Sequence, residues 1–393
     1  MPRFYLLGAC DCPNPSAISK TQITLWEKQG IITYLGEAHD VREFIESSSC
    51  IVLPSYKEGV PRVLLEAMSM GKPIISTNVP GCKECIAPPL KVYKNLLIGQ
   101  NGILIPPKNT QALITAMNLL TPTRIKEMGK RGRDFVKKRF DIHRIISHYL
   151  CTTAHIMNDK PPKANSQDSK PILAFVSNTS YAMYNFRLQV LKSLKDRGFD
   201  IHIIAPFDTS TPKLQNEGFT THHFSIDSRS LNPLKDIRTL YHLTHTLRAL
   251  KPQIVFNYTI KPAIYSSMLC NTLKIPNIAI ITGLGYAFIE GGIGKKILHS
   301  IVCKMYRSAL KKTYQVWFLN TDDMQEFLNH SLIKQSQAFL LDSEGVDCQY
   351  FTSSQCTKNK QDSKEMVFLL IARMLWDKGV GEFAEAAKIM QDK

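Results

Sequence analysis

The stretch Pro54-Ser55-Tyr56-Lys57-Glu58-Gly59-Val60-Pro61-Arg62-Val63-Leu64-Leu65-Glu66-Ala67-Met68 follows a short apolar run, Cys50 to Leu53, and leads into a helical pattern. Two glutamates stand either side of seven residues here, one in a loop and one about two turns into a helix. That arrangement suits a pocket for a nucleotide sugar. Glu58 can accept hydrogen bonds from sugar hydroxyls, and Gly59 permits close backbone approach. Amides at about Pro61 to Leu64 open the helix toward a diphosphate, and Glu66 can hold a ribose diol. The same spacing also fits an amphipathic helix with two solvated glutamates. By itself the stretch leaves both readings open.

Around it, short apolar runs at Phe4–Leu7, Ile31–Leu35, Cys50–Leu53, Pro73–Ser76 and Gly102–Ile105 alternate with stretches of helical period such as Val41–Ser47 and Arg62–Met70. Strands alternating with helices predict a parallel, doubly wound α/β sheet. Residues 123–154 read as helical and basic. A polar stretch at 158–170 reads as a linker. A second α/β pattern follows, with strands at Ile172–Val176, Ile201–Ala205, Ile254–Asn257, Ile278–Ile281, Gln315–Leu319 and Ala338–Leu341. Its helices are expected at 185–197, 233–250, 261–272 and 295–312. A second polar stretch at 352–364 precedes one more strand, Met366–Ala372, and a helix, Val380–Met390.

The chain has 393 residues, a length that suggests two or three domains at about 150 residues each. A 44% apolar, 21% charged composition excludes a disordered, collagenous or coiled-coil chain. Lysine and arginine number 49 against 33 acidic residues, a net charge of +16, which points to anionic partners. The aromatic–basic interleaving of an RNA-binding surface is missing, which argues against nucleic acid. No secretory signal is read at the start, and glycines and polar residues break up Ile275–Gly294, so neither export nor a membrane span is expected. The ten cysteines read as reduced thiols of a cytoplasmic protein. Neither Cys10-Asp11-Cys12 nor Cys82-Lys83-Glu84-Cys85 finds a second ligand pair, so no zinc site is expected from them.

Taken with the opening stretch, Gly71-Lys72-Pro73, Gly81, Glu84, Tyr34-Leu35-Gly36, Asp40-Val41 and Asn101-Gly102-Ile103-Leu104-Ile105-Pro106-Pro107 resemble the donor domain of a family 4 retaining glycosyltransferase of the GT-B fold. Ala372-Arg373-Met374-Leu375-Trp376-Asp377-Lys378-Gly379 is similar to that family's Arg…Lys-Gly element, which contacts the donor diphosphate. Gly345-Val346-Asp347-x3-Phe351 resembles its crossover between domains, and Ser177 to Arg187 resembles the first loop of its acceptor domain. The resemblance covers nearly the whole chain outside the two linkers. It is to bacterial enzymes that add an N-acetylhexosamine to a sugar on undecaprenyl diphosphate.

The resemblance implies two Rossmann-like domains facing a cleft, with the donor domain split. Residues 1–157 hold its main part and the final helices, 171–351 the acceptor domain, and 365–393 the donor domain's first strand and helix. Segment order departs from the family, as in a circular permutation or a fusion of fragments. In a sheet ordered 3-2-1-4-5-6 the strand at 366–372 is strand 1 and belongs in the middle. Without it two strands would carry unpaired edges in the core. Residues 364–393 are therefore expected to fold back onto 1–150, in cis or from another copy.

The implied reaction transfers a hexosamine from a UDP-sugar to a polyprenyl-linked saccharide with retention. Glu58, Arg373 and Lys378 are the implied catalytic residues. Tyr34, Gly59, Val60, Pro61, Val63, Leu64 and Glu66 would bind the donor, and Asn185, Arg187 and Lys261 would lie on the acceptor side. No metal or other cofactor is implied, and Thr321-Asp322-Asp323 reads as a helix cap. The stretch 295–312 sets apolar residues against Lys295, Lys296, Lys304, Arg307, Lys311 and Lys312, which suits an anionic membrane face or a core helix with a solvated basic back. The expected setting is peripheral, on the inner face of the cell membrane. Two rival readings are a chain that only binds nucleotide sugar and a GT-B-fold UDP-sugar epimerase.

Overall fold

A computed structural model describes residues 1–11, 14–159, 170–226, 233–285, 288, 292–353 and 365–392. The linkers expected at 158–170 and 352–364 lie mostly outside the described residues, as does Cys12. Fifteen strands are present among those described. In chain order they are β1 (Arg3–Leu7), β2 (Thr33–Tyr34), β3 (Cys50–Leu53), β4 (Ile74–Thr77), β5 (Lys91–Tyr93), β6 (Leu96–Ile98), β7 (Gly102–Ile105), β8 (Ile172–Val176), β9 (Asp200–Ala205), β10 (Thr220–His223), β11 (Ile254–Tyr258), β12 (Asn277–Ile281), β13 (Gln315–Phe318), β14 (Ala338–Leu340) and β15 (Val367–Ile371). The helices are α1 (Lys20–Lys28), α2 (Arg42–Ser47), α3 (Arg62–Ser69), α4 (Thr110–Asn118), α5 (Pro122–Arg139), α6 (Ile142–Asp159), α7 (Ser180–Asp196), α8 (Thr211–Asn216), α9 (Pro233–Leu250), α10 (Ile260–Leu273), α11 (Ile293–Leu310), α12 (Thr321–Asn329) and α13 (Val380–Gln391).

They form two compact α/β units, each a Rossmann-like parallel sheet flanked by helices: Met1–Ile142 with Gly345–Lys393, and His143–Glu344. The first sheet runs β2-β1-β15-β3-β4-β7-β6-β5, parallel except for the hairpin-like β5–β6–β7 edge. β15 pairs along its whole length with β1, Arg3 opposite Val367 through Leu7 opposite Ile371, and on its other side with β3. The second sheet runs β10-β9-β8-β11-β12-β13-β14, all parallel.

The central strands are buried on both faces because helices cover both, which is why β3 and β7 read as unbroken apolar runs and β11 and β12 as apolar runs with one buried asparagine each. In the first unit Phe4 stacks on Phe368 at 5.6 Å and meets Phe383 of α13 edge-on at 5.7 Å, so β15 and α13 fill the core beside β1. Helix starts follow local chemistry. Ser19, Asn109, Thr179 and Asn320 each accept a hydrogen bond from an amide in the first turn of the helix that follows. The cap before α12 is thus Asn320 rather than the Thr321-Asp322-Asp323 run, whose carboxylates sit in the first turn, where the helix dipole favours them.

Two boundaries differ from the sequence reading. The stretch read as helical over 123–154 is two helices, α5 and α6, because the backbone at Phe140 and Ile142 bonds to Val346 instead of continuing (2.9 and 3.0 Å). The units divide at 142/143 and 344/345 rather than near 157 and 351. α6 joins the second unit because Tyr149 packs against Phe256 and Trp317 and bonds the Tyr258 hydroxyl at 2.8 Å. Phe351, in turn, belongs to the first unit's core, where its carbonyl accepts from the Ser69 hydroxyl at 2.7 Å.

Candidate active site

In the first sheet the strand order runs outward from β15 through β1 and β2 on one side and through β3, β4 and β7 on the other. The reversal falls between β15 and β3, and a doubly wound sheet binds ligands beyond the carboxyl ends of the strands at that point. Both loops that leave there carry site residues expected from sequence. Glu58 follows β3 and Lys378 follows β15, and the Lys378 ammonium donates to the Glu58 carboxylate at 2.5 Å. Only 15% and 17% of these side chains are exposed. Arg373, also past β15, is exposed and carries no ion pair among the described residues.

The two loops are fastened by backbone. The Asp377 carbonyl accepts from the Tyr56 amide at 2.9 Å and the Ser55 hydroxyl at 3.2 Å. The Tyr56 hydroxyl donates to Glu382 of α13, and the Lys108 ammonium lies 5.1 Å over its ring. Ser55, Tyr56 and Asp377 were not singled out from sequence. Their roles run through a contact between positions more than 300 residues apart, which no local pattern signals.

Two glycines set the shape. Gly81 (φ +81°) lies so close under the Glu58–Gly59 loop that a Cβ there would sit 1.4 Å from the Gly59 carbonyl oxygen. Its amide donates to the buried Glu84 carboxylate at 2.8 Å. Gly8 (φ +139°), at the carboxyl end of β1, would drive a Cβ to 2.0 Å from the Ala372 carbonyl oxygen. The Tyr34 hydroxyl donates to the Gly8 carbonyl at 2.8 Å, and burial raises its pKa.

Glu66 is largely buried on α3, 3.5 Å from Arg62. Burial raises its carboxyl pKa, against the pull of Arg62. Gly59, Val60 and Val63 are partly exposed. Pro61 and Leu64 depart from their expected part. Proline has no amide hydrogen, the Leu64 amide donates to the Pro61 carbonyl at 3.1 Å, and the Leu64 side chain lies wholly in the core. Two of the four positions expected to present amides to a diphosphate therefore present none. Cys82 and Cys85 are buried thiols, and burial pushes Cys82 up to about 12.

In the second unit the three acceptor-side residues each have a partner of their own. Arg187 is buried, ion-paired with Glu344, and lies 4.2 Å over the Tyr258 ring. Lys261 pairs with Asp236 at 2.9 Å, and the Asn185 amide donates to the Tyr181 carbonyl at 3.0 Å. On α11 the apolar side does not close over entirely: Ile297 and Ile301 are 57% and 51% exposed, beside exposed Lys296 and Lys304. Lys311 and Lys312 are exposed too, and Lys295 is half-buried. Arg307 instead donates to the carbonyls of His330 and Ser331, so it is occupied within the unit. No helix among the described residues is long and apolar enough to cross a membrane.

Residues 2–121 match the family model described as glycosyl transferases group 1, and residues 172–320 match glycosyl transferase 4-like. Among named relatives, the chain is 27% identical over 230 residues to an N,N'-diacetylbacillosaminyl-diphospho-undecaprenol alpha-1,3-N-acetylgalactosaminyltransferase of Campylobacter jejuni, covering 56% of this chain and 61% of that protein. It is 31% identical over 130 residues to the N-acetyl-alpha-D-glucosaminyl L-malate synthase of Bacillus anthracis, covering 33% of this chain and 32% of that one. The chain thus spans less than two thirds of the length of these relatives. Among solved structures, Acinetobacter baumannii MurG is similar at 13% identity over 44% of each chain, with a TM-score of 0.30.

Proposed function

Built from a group 1 and a 4-like glycosyltransferase domain, the chain belongs to the glycosyltransferases, and on that premise we propose that it moves an N-acetylhexosamine from a UDP-sugar to a saccharide on undecaprenyl diphosphate, with retention. The observation that carries this is the pairing of Lys378 with Glu58 at the strand-order reversal, with exposed Arg373 on the same loop.

A departing diphosphate needs fixed positive charge where its own charge develops, and cations already in place cost nothing to reorganise. Lys378 and Arg373 supply that charge. Glu58 neutralises Lys378 while the site is empty. When a donor enters, Lys378 shares its ammonium with the diphosphate and Glu58 is released to accept from sugar hydroxyls. Glu66, on α3, holds the ribose diol. The chemistry of this site calls for no metal. The Campylobacter relative is named for an undecaprenol-linked acceptor, and the exposed Ile297 and Ile301 among lysines give α11 a face suited to an anionic bilayer.

The test is transfer from a panel of UDP-N-acetylhexosamines to polyprenyl-diphosphate saccharides, with the anomeric configuration of the product read by NMR. Transfer with retained configuration, lost in Arg373→Ala together with UDP binding, supports the reading. UDP binding without transfer means a binding-only chain, and epimerised free nucleotide sugar without acceptor means an epimerase. Sedimentation with anionic vesicles, weakened by salt, tests the membrane face, and binding equal to that on neutral vesicles refutes it.

A further inference from the structure

In the second unit, two helices bring three metal-ligand side chains together, with a thiol beside one of them. His299 and Cys303 are one turn apart on α11, and Glu326 and His330 are one turn apart on α12 and at its C-cap. The nitrogen and oxygen ligand atoms of His299, Glu326 and His330 all lie within 4.8 Å of one another. The His330 Nε2 is 3.0 Å from Glu326 Oε1, and the His299 Nε2 is 3.5 Å from Cys303 Sγ. The His299 and His330 rings meet edge-on at 5.0 Å.

A helical i,i+4 ion pair explains Glu326 and His330 alone. It does not explain why the His299 imidazole, from a neighbouring helix and with the Cys303 thiol beside it, turns to the same spot. Around a tetrahedral zinc ion, with bonds of about 2.0–2.3 Å, ligand nitrogen and sulfur stand about 3.5 Å apart and nitrogen and oxygen about 3.3 Å. The His299–Cys303 separation already has that value, and the Glu326–His330 separation is within a few tenths of an ångström of it.

The supporting frame is stiff. Arg307, one turn beyond Cys303, holds the His330 and Ser331 carbonyls at 2.8 and 3.2 Å, which fixes the register of the two helices. Tyr306 packs on Phe327 at 4.9 Å, and Phe288 meets both His299 and Phe327. The Glu326 and His330 side chains, 38% and 43% exposed, have room to close toward the Cys303 thiol.

We propose that His299, Cys303, Glu326 and His330 bind a divalent zinc-like cation that clips α11 to α12. Two imidazoles, a thiolate and a carboxylate suit zinc or cobalt rather than magnesium or calcium, which prefer oxygen. Four protein ligands leave no open position, so the site is structural. On binding, the Cys303 thiol gives up its proton to solvent and the sulfur takes the metal.

The experiment titrates the chelator-stripped full-length chain with Co2+ and follows its spectrum, with Zn2+ competition. One equivalent should bind, with tetrahedral d–d bands and a near-ultraviolet thiolate-to-cobalt band, and Zn2+ should displace it. Cys303→Ser should abolish the thiolate band. His330→Ala, a change at an exposed side chain that leaves the fold standing, should weaken binding by about tenfold or more. Raised thermal stability with Zn2+, absent in the His330→Ala variant, completes the supporting result. Absence of stoichiometric binding, binding indifferent to His330→Ala, or saturation without a thiolate band overturns the assignment.

Discussion

Replacing Lys378 with Met separates a diphosphate grip from an ordinary ion pair. The substitution leaves the Glu58 carboxylate without its partner in a place where only 15% of the side chain meets water. Removing one member of a buried pair costs about 3–5 kcal/mol, and the residual exposure on both sides puts this case near about 3 kcal/mol. Adding Glu58→Gln removes the stranded charge, so the double variant should recover most of that stability. Nucleotide binding should behave differently. A charge-assisted contact contributes about 1.5–3 kcal/mol, so Lys378→Met should weaken UDP about ten- to hundredfold, and the double variant should remain as weak. Glu58→Gln alone should keep or tighten UDP affinity, since Lys378 is then unshared, while sugar transfer falls. Urea unfolding gives the stabilities and calorimetry with UDP gives the affinities. If the double variant regains UDP affinity along with stability, Lys378 acts only as Glu58's partner and the assigned role is wrong.

Two other outcomes are expected. Phe368→Ala should cost about 3–5 kcal/mol, a large share of about 5–15 kcal/mol in total, because Phe368 is 1% exposed and stacked on Phe4; a loss below about 1 kcal/mol on chemical unfolding would show that β15 does not complete the core. Glu66→Gln should stabilise the protein at neutral pH while abolishing donor binding. The folded carboxyl pKa is raised, so the folded state binds this proton more tightly than the unfolded chain, and stability is lost as pH rises through the folded value. The gain should therefore fade as pH falls to the ordinary glutamate range of about 4.3, and equal stability of the two proteins at pH 7 refutes the reasoning.

Most sheet strands were legible because parallel strands buried on both faces read as apolar runs, from Cys50–Leu53 to Ile278–Ile281. The central place of β15 was legible too, since a doubly wound sheet leaves no other place for its missing first strand. Less legible were β5 and β10, whose mostly exposed residues carry little apolar signal, and β6, whose three apolar residues are too short a run to stand out. The α5–α6 break was invisible because its cause, Val346, lies some two hundred residues away. At the candidate site, Glu58 and Lys378 could be named from their motifs, but not their 2.5 Å contact. Arg187 read as a polar group facing a ligand, whereas Glu344 and the Tyr258 ring, both distant in sequence, bury it. The His299–Cys303 and Glu326–His330 pairs pass unnoticed singly, because i,i+4 spacing is common and only the packing of two helices brings His299, Glu326 and His330 together.

The pairing of β1 with β15 joins residues more than 360 positions apart, and this bears on how the chain is made. The second unit is continuous and can fold as soon as its own residues have left the ribosome. The first cannot. Until Val367–Ile371 emerges, β1 and β3 have an empty slot between them and expose backbone groups that any passing strand could pair with. Contacts this distant close slowly, so the nascent first unit depends on protection from wrong partners until β15 has been made. Low temperature or a chaperone holdase during expression should raise its yield more than any change within the second unit.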